Sequence, residues 1–325
     1  MIPFEYVRPT ATKAALDAAK NGAVFIAGGT NLVDLMKRGV TAPQKLVDIN
    51  QLPFKKIEET AKGLQIGALA LNSEVAEHPL VKSKYPLLAA ALNAGASAQL
   101  RNMATVGGNM MQRTRCTYFY DTTMPCNKRV SGTGCGAKEG YNRMHAIFGT
   151  SDQCIAVHPS DMCVALTALN AIVTINNAKG SRTVLFGDFH RLPGDTPEKD
   201  NILQPGELIT GIQVPANNLQ QHSAYIKIRD RASYAFALVS VAAALELNGN
   251  TIRDVRLAMG GVAHKPWRLT AAEQFLTGKT ADENTFLQAA QLAMENAKSY
   301  GGNDFKLKLA PITIVEALKK ATGNV

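Results

Sequence analysis

Four cysteines, Cys116, Cys126, Cys135 and Cys154, fall in one stretch rich in Gly, Pro and Asn. A turn-rich segment with few apolar side chains buries too little surface to offset its ordering entropy. Clustered thiolates there point to a bound inorganic centre that holds the loop together. The gaps of nine, eight and eighteen residues match neither the paired hairpins of zinc ribbons nor the close run of bacterial ferredoxins. Spacing alone leaves the metal open. Cys163 lies inside the apolar run Met162–Leu166, expected to be helical, and reads as a buried free thiol. The six histidines show no pairwise metal spacing, and none is given a catalytic role.

Two glycine pairs suggest anion binding. Gly28-Gly29-Thr30 follows the apolar Val24-Phe-Ile-Ala27 and precedes a helical pattern from Leu32, so its amides would sit at a helix start where a phosphate can be held. Alone, such a pair is more often a plain tight turn. Thr105-Val-Gly-Gly-Asn109 repeats the chemistry and adds a hydroxyl and an amide suited to pyrophosphate. Neither has the Gly-x-Gly-x-x-Gly spacing of a Rossmann turn, and Gly278-Lys-Thr280 lacks the earlier glycine of a phosphate loop because position 273 is Glu. His158-Pro-Ser-Asp161 is a capped turn: Ser160 or Asp161 either begins a helix or, for Asp161, accepts hydrogen bonds from ribityl or ribose hydroxyls.

The chain has 325 residues, 46% apolar and 19% charged, enough for a substantial core in two or three domains. Its net charge of +9 is scattered, with no basic run and no aromatic ladder, which argues against nucleic-acid binding. A basic face for an acidic partner or an anionic cofactor accounts for the excess equally well. The amino terminus lacks the features of a signal peptide, and the longest apolar stretch, Tyr234 to Leu247, is too short to span a bilayer and reads as a buried strand. An odd number of cysteines rules out complete disulfide pairing, which favours a metal or cluster.

These residues need a frame. A strand over 3–9 and a helix from Thr10 to Ala19, closed by Asn21-Gly22, precede a strand at 24–27, a helix at 32–37 capped by Thr30 or Asn31, and a strand at 46–49, a small βαβ unit. Strand Gly63 to Gly67 leads to a helical region from Asn72 to about Ala98, in which Pro86 opens the second helix. After the cysteine loop, Cys154 to Val157 is expected as a strand, Ser160 to Leu169 as a helix, and 171–175 with 206–214 as sheet; 195–204 is expected as an exposed loop. A boundary near Pro215 to Asn218 precedes antiparallel strands at 224–228, 235–247 and 252–259, then helices at 270–277, 283–298 and 307–321.

Gln99-Leu-Arg-Asn102 leading into Ala104-Thr-Val-Gly-Gly-Asn109, with Ala27-Gly-Gly-Thr30 upstream and Pro159-Ser-Asp161 downstream, resembles the FAD-binding subunits of the xanthine dehydrogenase family of molybdenum hydroxylases. Lys227 and Arg229-Asp-Arg-Ala-Ser-Tyr-Ala-Phe-Ala237 are similar to that family's carboxy-terminal flavoprotein domain. The resemblance covers essentially the whole chain and implies an α+β protein. Its vanillyl-alcohol-oxidase-type FAD-binding domain, residues 1–216, has subdomains at about 1–55 and 56–216, and residues 217–325 form a domain of antiparallel sheet and helices. FAD would be cradled by Ala27, Gly28, Gly29, Thr30, Asn31 and Leu32, contacted by Thr105, Gly108 and Asn109, and bound through its hydroxyls by Asp161. Lys227 would lie near the flavin, with a surface lysine on an edge strand as the plainer reading.

Simple members of the family have a short connection where this chain has 51 residues between Asn109 and Asp161. The insertion, about 110–157, is similar to the flavin subunit of bacterial periplasmic aldehyde oxidoreductases through Arg113-Thr-Arg-Cys116, Tyr118-Phe-Tyr-Asp121, Pro125-Cys-Asn-Lys-Arg129 and Gly132 to Cys135; 4-hydroxybenzoyl-CoA reductase has a comparable extra cluster. This resemblance assigns Cys116, Cys126, Cys135 and Cys154 to a 4Fe-4S cluster. Arg113, Arg115, Lys128 and Arg129 would stabilise its charge or, for most of them, solvate the loop.

The same resemblance implies the electron-exit subunit of a three-component enzyme, in which substrate, preferably an aldehyde, is oxidised on a molybdenum-binding large subunit. Electrons would then arrive from a small subunit with two 2Fe-2S clusters and leave through FAD to an external acceptor. No catalytic side chain is required, and no membrane insertion is expected. Export to the periplasm would depend on a partner's twin-arginine signal, with cytoplasmic residence as the alternative. Two rivals are a stand-alone flavin oxidase and a zinc-stabilised binding module without enzymatic activity.

Overall fold

The computed structural model describes residues 1–20 and 22–323, so Asn21 of the expected helix stop lies outside the described residues. Strand β1 (Glu5–Val7), helix α1 (Thr12–Ala18), β2 (Val24–Ile26), α2 (Leu32–Lys37) and β3 (Lys45–Asp48) form the first layer. The three strands are parallel in the order β1-β3-β2, so the βαβ unit stands as expected. Asn31 occupies the N-cap position of α2, but its side chain does not cap it; the side chain turns toward the cysteine loop.

The second layer opens with the hairpin β4 (Ile57–Thr60) and β5 (Gly63–Gly67). The expected helical region to Ala98 is broken into α3 (Asn72–Glu77), α4 (Pro79–Lys84), α5 (Pro86–Ala94) and α6 (Ala98–Arg101). Pro79 and Pro86 each start a helix, because a proline lacks the N–H that an interior position would need. Pro86 therefore opens the third helix, and Gly95 ends it. Two short helices follow, α7 (Val106–Met110) and α8 (Thr117–Tyr120), then α9 (Asp161–Ala168), β6 (Ile172–Asn177), β7 (Gly180–Leu185), α10 (Phe186–Phe189) and β8 (Leu208–Pro215). The resulting five-stranded sheet is antiparallel, in the order β4-β5-β8-β6-β7.

Cys154 to Val157, expected as a strand, joins no sheet. Its backbone bonds go to separate segments, Cys154 accepting from Ser151 and Ile155 from Ala146, so no ladder forms. The expected exposed loop 195–204 also differs, since Pro197 is buried and Asp200 reaches into the cysteine region. At the foot of this sheet Glu207 accepts from Arg182 at 2.6 and 2.8 Å and from the Gln204 amide. The Arg182 hydrogen bonds lower its pKa from the ordinary 4.5 to about 2. A depressed carboxyl contributes stability above its unfolded pKa and loses it as pH falls through the folded one. Glu207→Gln should therefore lower the thermal midpoint at neutral pH, with the gap to wild type closing between pH 4.5 and about 2 in a melting series.

The carboxy-terminal layer contains β9 (His222–Ile228), β10 (Val239–Asn248), β11 (Thr251–Gly260) and β12 (Trp267–Arg268) in an antiparallel sheet, then α11 (Thr270–Leu276), α12 (Glu283–Ala293) and α13 (Phe305–Thr322). Strand β10 begins four residues later than expected; Tyr234 has φ of 51° and turns the preceding segment aside. Both faces of β10 are buried. Val239, Val241, Ala243 and Leu245 meet the carboxy-terminal helices, while Ala242 and Ala244 join the core around α5 and α9. All eight residues of α9 are buried: the helix packs on β10, β11 and β12, and its side chains share one core with Ile66, Val173 and Ile212 of the five-stranded sheet. Among the described residues no helix is long and apolar enough to cross a membrane.

Candidate functional site

Where these layers meet, a cleft of about 630 Å³ opens, lined by Thr30, Asn31, Ala104, Gly108, Asn109, Ser160, Asp161 and Lys227. That volume falls in the range of small-molecule and cofactor sites. Thus the two glycine turns, more than seventy residues apart in sequence by their numbering, reach one cleft. They also touch directly: a Cβ built on Gly28 would stand 1.9 Å from the Met103 carbonyl oxygen. Gly29 has φ of 69°, a backbone conformation that favours glycine. Gly28→Ala should cost about 3 kcal/mol through backbone displacement, read as a lower denaturant midpoint together with loss of co-purified flavin.

The site residues divide by what their side chains do. Ala27, Gly28, Gly29 and Leu32 shape the first turn, and only Thr30 and Asn31 of that segment line the cleft. Thr105, expected to contact the cofactor, is buried and its Oγ1 accepts from the Gly108 amide at 3.2 Å. It caps α7, the ordinary use of a threonine hydroxyl at a helix start. Asn109 Oδ1 accepts from Ser160 Oγ and Gln112 Nε2, both at 2.6 Å. Ser160 caps α9 through the Cys163 amide, so Asp161 is the first helical residue.

Asp161 and Lys227 form a buried ion pair at 2.8 Å, with side chains 6% and 4% exposed. Lys227 also donates to the Ala94 carbonyl at 2.9 Å, and Tyr225 Oη donates to the other Asp161 oxygen at 2.7 Å. Burial and the neighbouring Asp161 carboxylate raise the Tyr225 pKa well above its ordinary value. Lys227 is on the edge strand β9, but it is not the surface lysine of the plainer reading. It fastens α5, α9 and β9 together at the cleft wall.

Sequence reasoning missed several cleft residues. The Gly95-Ala96 turn lines the wall, with Ala96 at φ of 52°, and is held by Arg101 donating to the Gly95 carbonyl at 2.8 Å. Arg115 also lines it, its guanidinium 5.1 Å from the Phe236 ring, and burial lowers its pKa. The Ser97 cap of α6 was a legible signal; the positive φ of Ala96 was not.

Next to the cleft, Cys116, Cys126, Cys135 and Cys154 line one small cavity walled by Tyr118, Phe119, Pro125 and Ala156. None is in a disulfide. Cys126 and Cys135 are paired in a two-residue bridge, and His145 Nε2 lies 3.1 Å from Cys116 Sγ. Burial pushes the thiols of Cys116 and Cys154 up to about 12 and about 11. Burial disfavours the free thiolate at both positions, and a bound metal would take the proton's place.

The cationic residues of this loop are structural rather than solvating. Lys128 is almost fully buried and pairs with Asp200, which also pairs with Arg113 at 2.7 Å. Burial opposes the Asp200 charge, yet Lys128 and Arg113 override it and hold the carboxyl well below its usual range. Arg129 donates to the carbonyls of Tyr118, Phe119 and Met124, and Arg113 N donates to Asn31 Oδ1 at 2.9 Å, tying the loop to the first glycine turn. The histidines, given no role from spacing, include one close pair: His158 and His190 have ring centroids 4.3 Å apart. Burial holds His158 well below its ordinary pKa and lowers His190 to about 4, so both rings are neutral.

A cleft bounded by paired glycine turns on one side and an antiparallel sheet on the other is shaped to hold a phosphate-bearing cofactor. Residues 2–217 match the FAD binding domain in molybdopterin dehydrogenase and residues 223–321 the CO dehydrogenase flavoprotein C-terminal domain, so the chain belongs to this family of FAD-binding oxidoreductase subunits. It is 49% identical to the aldehyde oxidoreductase FAD-binding subunit PaoB of Escherichia coli over 329 residues, covering 100% of both. It is 31% identical to the glyceraldehyde dehydrogenase medium chain of Sulfolobus acidocaldarius, over 86% of this chain and 83% of that one. Among solved structures, carbon monoxide dehydrogenase from Hydrogenophaga pseudoflava superposes with a TM-score of 0.78 at 26% identity, covering 100% of this chain and 99% of that one.

Proposed function

We propose that this chain is the electron-exit subunit of an aldehyde-oxidising molybdenum hydroxylase, holding FAD in the cleft and a 4Fe-4S cluster on Cys116, Cys126, Cys135 and Cys154. Its partners are a molybdenum-binding large subunit and a small subunit with two 2Fe-2S clusters, and its product electrons go to an external acceptor. The full-length likeness to an aldehyde oxidoreductase FAD-binding subunit carries the reading.

FAD supplies one- and two-electron redox chemistry, and the cluster one-electron chemistry. The polypeptide binds and orients. Backbone amides at 28–31 are available to the pyrophosphate, whereas those at 107–109 already donate to Ala68 and Thr105, and Thr105 fixes this second turn by capping it. Asn109 keeps its amide group free to donate, since its Oδ1 is already engaged by Ser160 and Gln112. Asp161 remains able to accept from a hydroxyl at the cleft wall, because each carboxylate oxygen has a second lone pair. Lys227 acts through Asp161, as a positioning residue. No side chain is needed as acid, base or nucleophile.

The cysteine geometry supports a cluster over a single ion. Tetrahedral zinc with Zn–S bonds of about 2.3 Å needs sulfurs about 3.8 Å apart. Among the described residues, no three of these four sulfurs lie within 4.8 Å of one another. The wider frame suits ligands spread over several irons. The reading includes residence in the periplasm by export with a partner, cell fractionation being its check. A visible spectrum of the purified complex, with iron and acid-labile sulfide assays on the separated chain, tests the rest. Flavin absorption with iron and sulfide is expected; a colourless chain containing only zinc would overturn it.

A further inference from the structure

We propose that His158, Cys163 and His190 form a buried site for one thiophilic closed-shell cation, Cu(I) or Zn(II), separate from the four cysteines. The three residues come from different places: His158 precedes α9, Cys163 lies within it, and His190 follows α10. Their ligand atoms all fall within 4.8 Å of one another. Metal–ligand bonds of about 2.0–2.3 Å place such atoms about 3.3–3.8 Å apart, so a modest rotamer adjustment closes the set.

The second observation is the state of the imidazoles. His158 Nε2 and His190 Nδ1 are both buried without a hydrogen-bond partner. In His190 the opposite nitrogen, Nε2, lies 2.9 Å from the Met110 carbonyl oxygen. A carbonyl only accepts, so Nε2 carries the proton and Nδ1 presents its lone pair to the site. This is the arrangement in which an outer hydrogen bond orients a ligating histidine. A buried ring nitrogen left unmatched is costly, and two histidines with such nitrogens grouped with one thiol are best explained by a shared electrophile.

The chemistry favours a soft ion. Phe186 and Phe189 pack against the His190 ring at centroid distances of 5.5 and 4.9 Å, so its surroundings are apolar. Two imidazoles and one thiolate are a donor set for Cu(I) or Zn(II), rather than for magnesium or calcium, which take oxygen. Binding forms two N–metal bonds and one S–metal bond, while the Cys163 S–H bond breaks and its proton leaves to solvent. Cu(I) would then be neutralised by the thiolate. Zn(II) would keep one positive charge, and the neighbouring Asp200 carboxylate is already paired with Lys128 and Arg113, so the neutral Cu(I) site is the better matched of the two. His158 also borders a cavity of about 130 Å³ shared with Arg115, Cys116 and Asp161, which gives an ion a way in from that side.

The test uses the full-length chain purified with its companion subunits. Cu(I) or Zn(II) is supplied anaerobically in separate samples, excess is removed with a chelating resin, and bound metal is measured per flavin by elemental analysis. Wild type should retain one equivalent that Cys163→Ser and His190→Phe both lose while keeping their flavin. Whichever ion is retained identifies the occupant. Cys126→Ser must leave this equivalent in place, because the site is separate. Equal retention by wild type and Cys163→Ser, no retained equivalent in wild type, or its loss in Cys126→Ser would each overturn the assignment. His190→Gln provides the same comparison should either first variant lose its flavin.

Discussion

Cys126→Ser should strip iron and acid-labile sulfide from the chain while leaving the flavin in place. Cys126 is buried, and its bridge to Cys135 joins two turns of the cysteine loop. A serine hydroxyl at that position is a poor ligand for iron and cannot replace a thiolate with the same reach. Iron content should fall from about one cluster per chain to near zero. The glycine turns and the Asp161–Lys227 pair are held by other bonds, so flavin absorbance should persist. The loop itself should loosen where the cluster holds it, although the ties of Lys128 and Arg113 to Asp200, Asn127 to Gln153, Asn142 to Tyr300 and Lys306 to His145 remain. Limited proteolysis should find new cuts between residues 110 and 157. Unchanged iron in the variant would refute the ligand assignment.

Local chemistry makes the cysteine loop legible, because thiols crowded into a segment without a core are conspicuous in sequence. The first glycine turn is legible for a similar reason, lying between a strand and a helical pattern, and the second is legible because it repeats the same residue types. The pairing of distant groups is not. Asp200 sits in a segment of Pro, Gly, Asp and Lys that reads as solvent-exposed, yet it is the counterion of Lys128, 72 residues away by their numbering. Strand β10 is recognisable from its apolar run, but its start is not, because Tyr234 turns the chain through a positive φ that nothing in its residue type announces. Thr105 suggests a ligand contact because a hydroxyl beside two glycines suits phosphate; the helix start claims that hydroxyl first. Asp161 and Lys227 each point to the flavin in sequence, and in the fold the first partner of each is the other.

That pair gives the second large effect. Lys227→Met should destabilise the protein by about 3–5 kcal/mol, since it leaves the Asp161 carboxylate buried without its cation. Tyr225 alone cannot balance the charge, being a neutral donor. The same substitution frees the Ala94 carbonyl, the point where α5 ends and the Gly95-Ala96 turn enters the cleft. Flavin affinity should therefore fall at least about tenfold, or about 1.4 kcal/mol. A double-mutant cycle separates the two roles. Combining Lys227→Met with Asp161→Asn removes the stranded charge, so chemical denaturation should show a total cost well below the sum of the single variants. Flavin binding should not recover with it, because the wall is still unfastened at Ala94 and Asp161 can no longer accept as a carboxylate. Additive stability costs would show that the two residues act independently, and full recovery of flavin affinity in the double variant would show that Lys227 does not position the cleft wall.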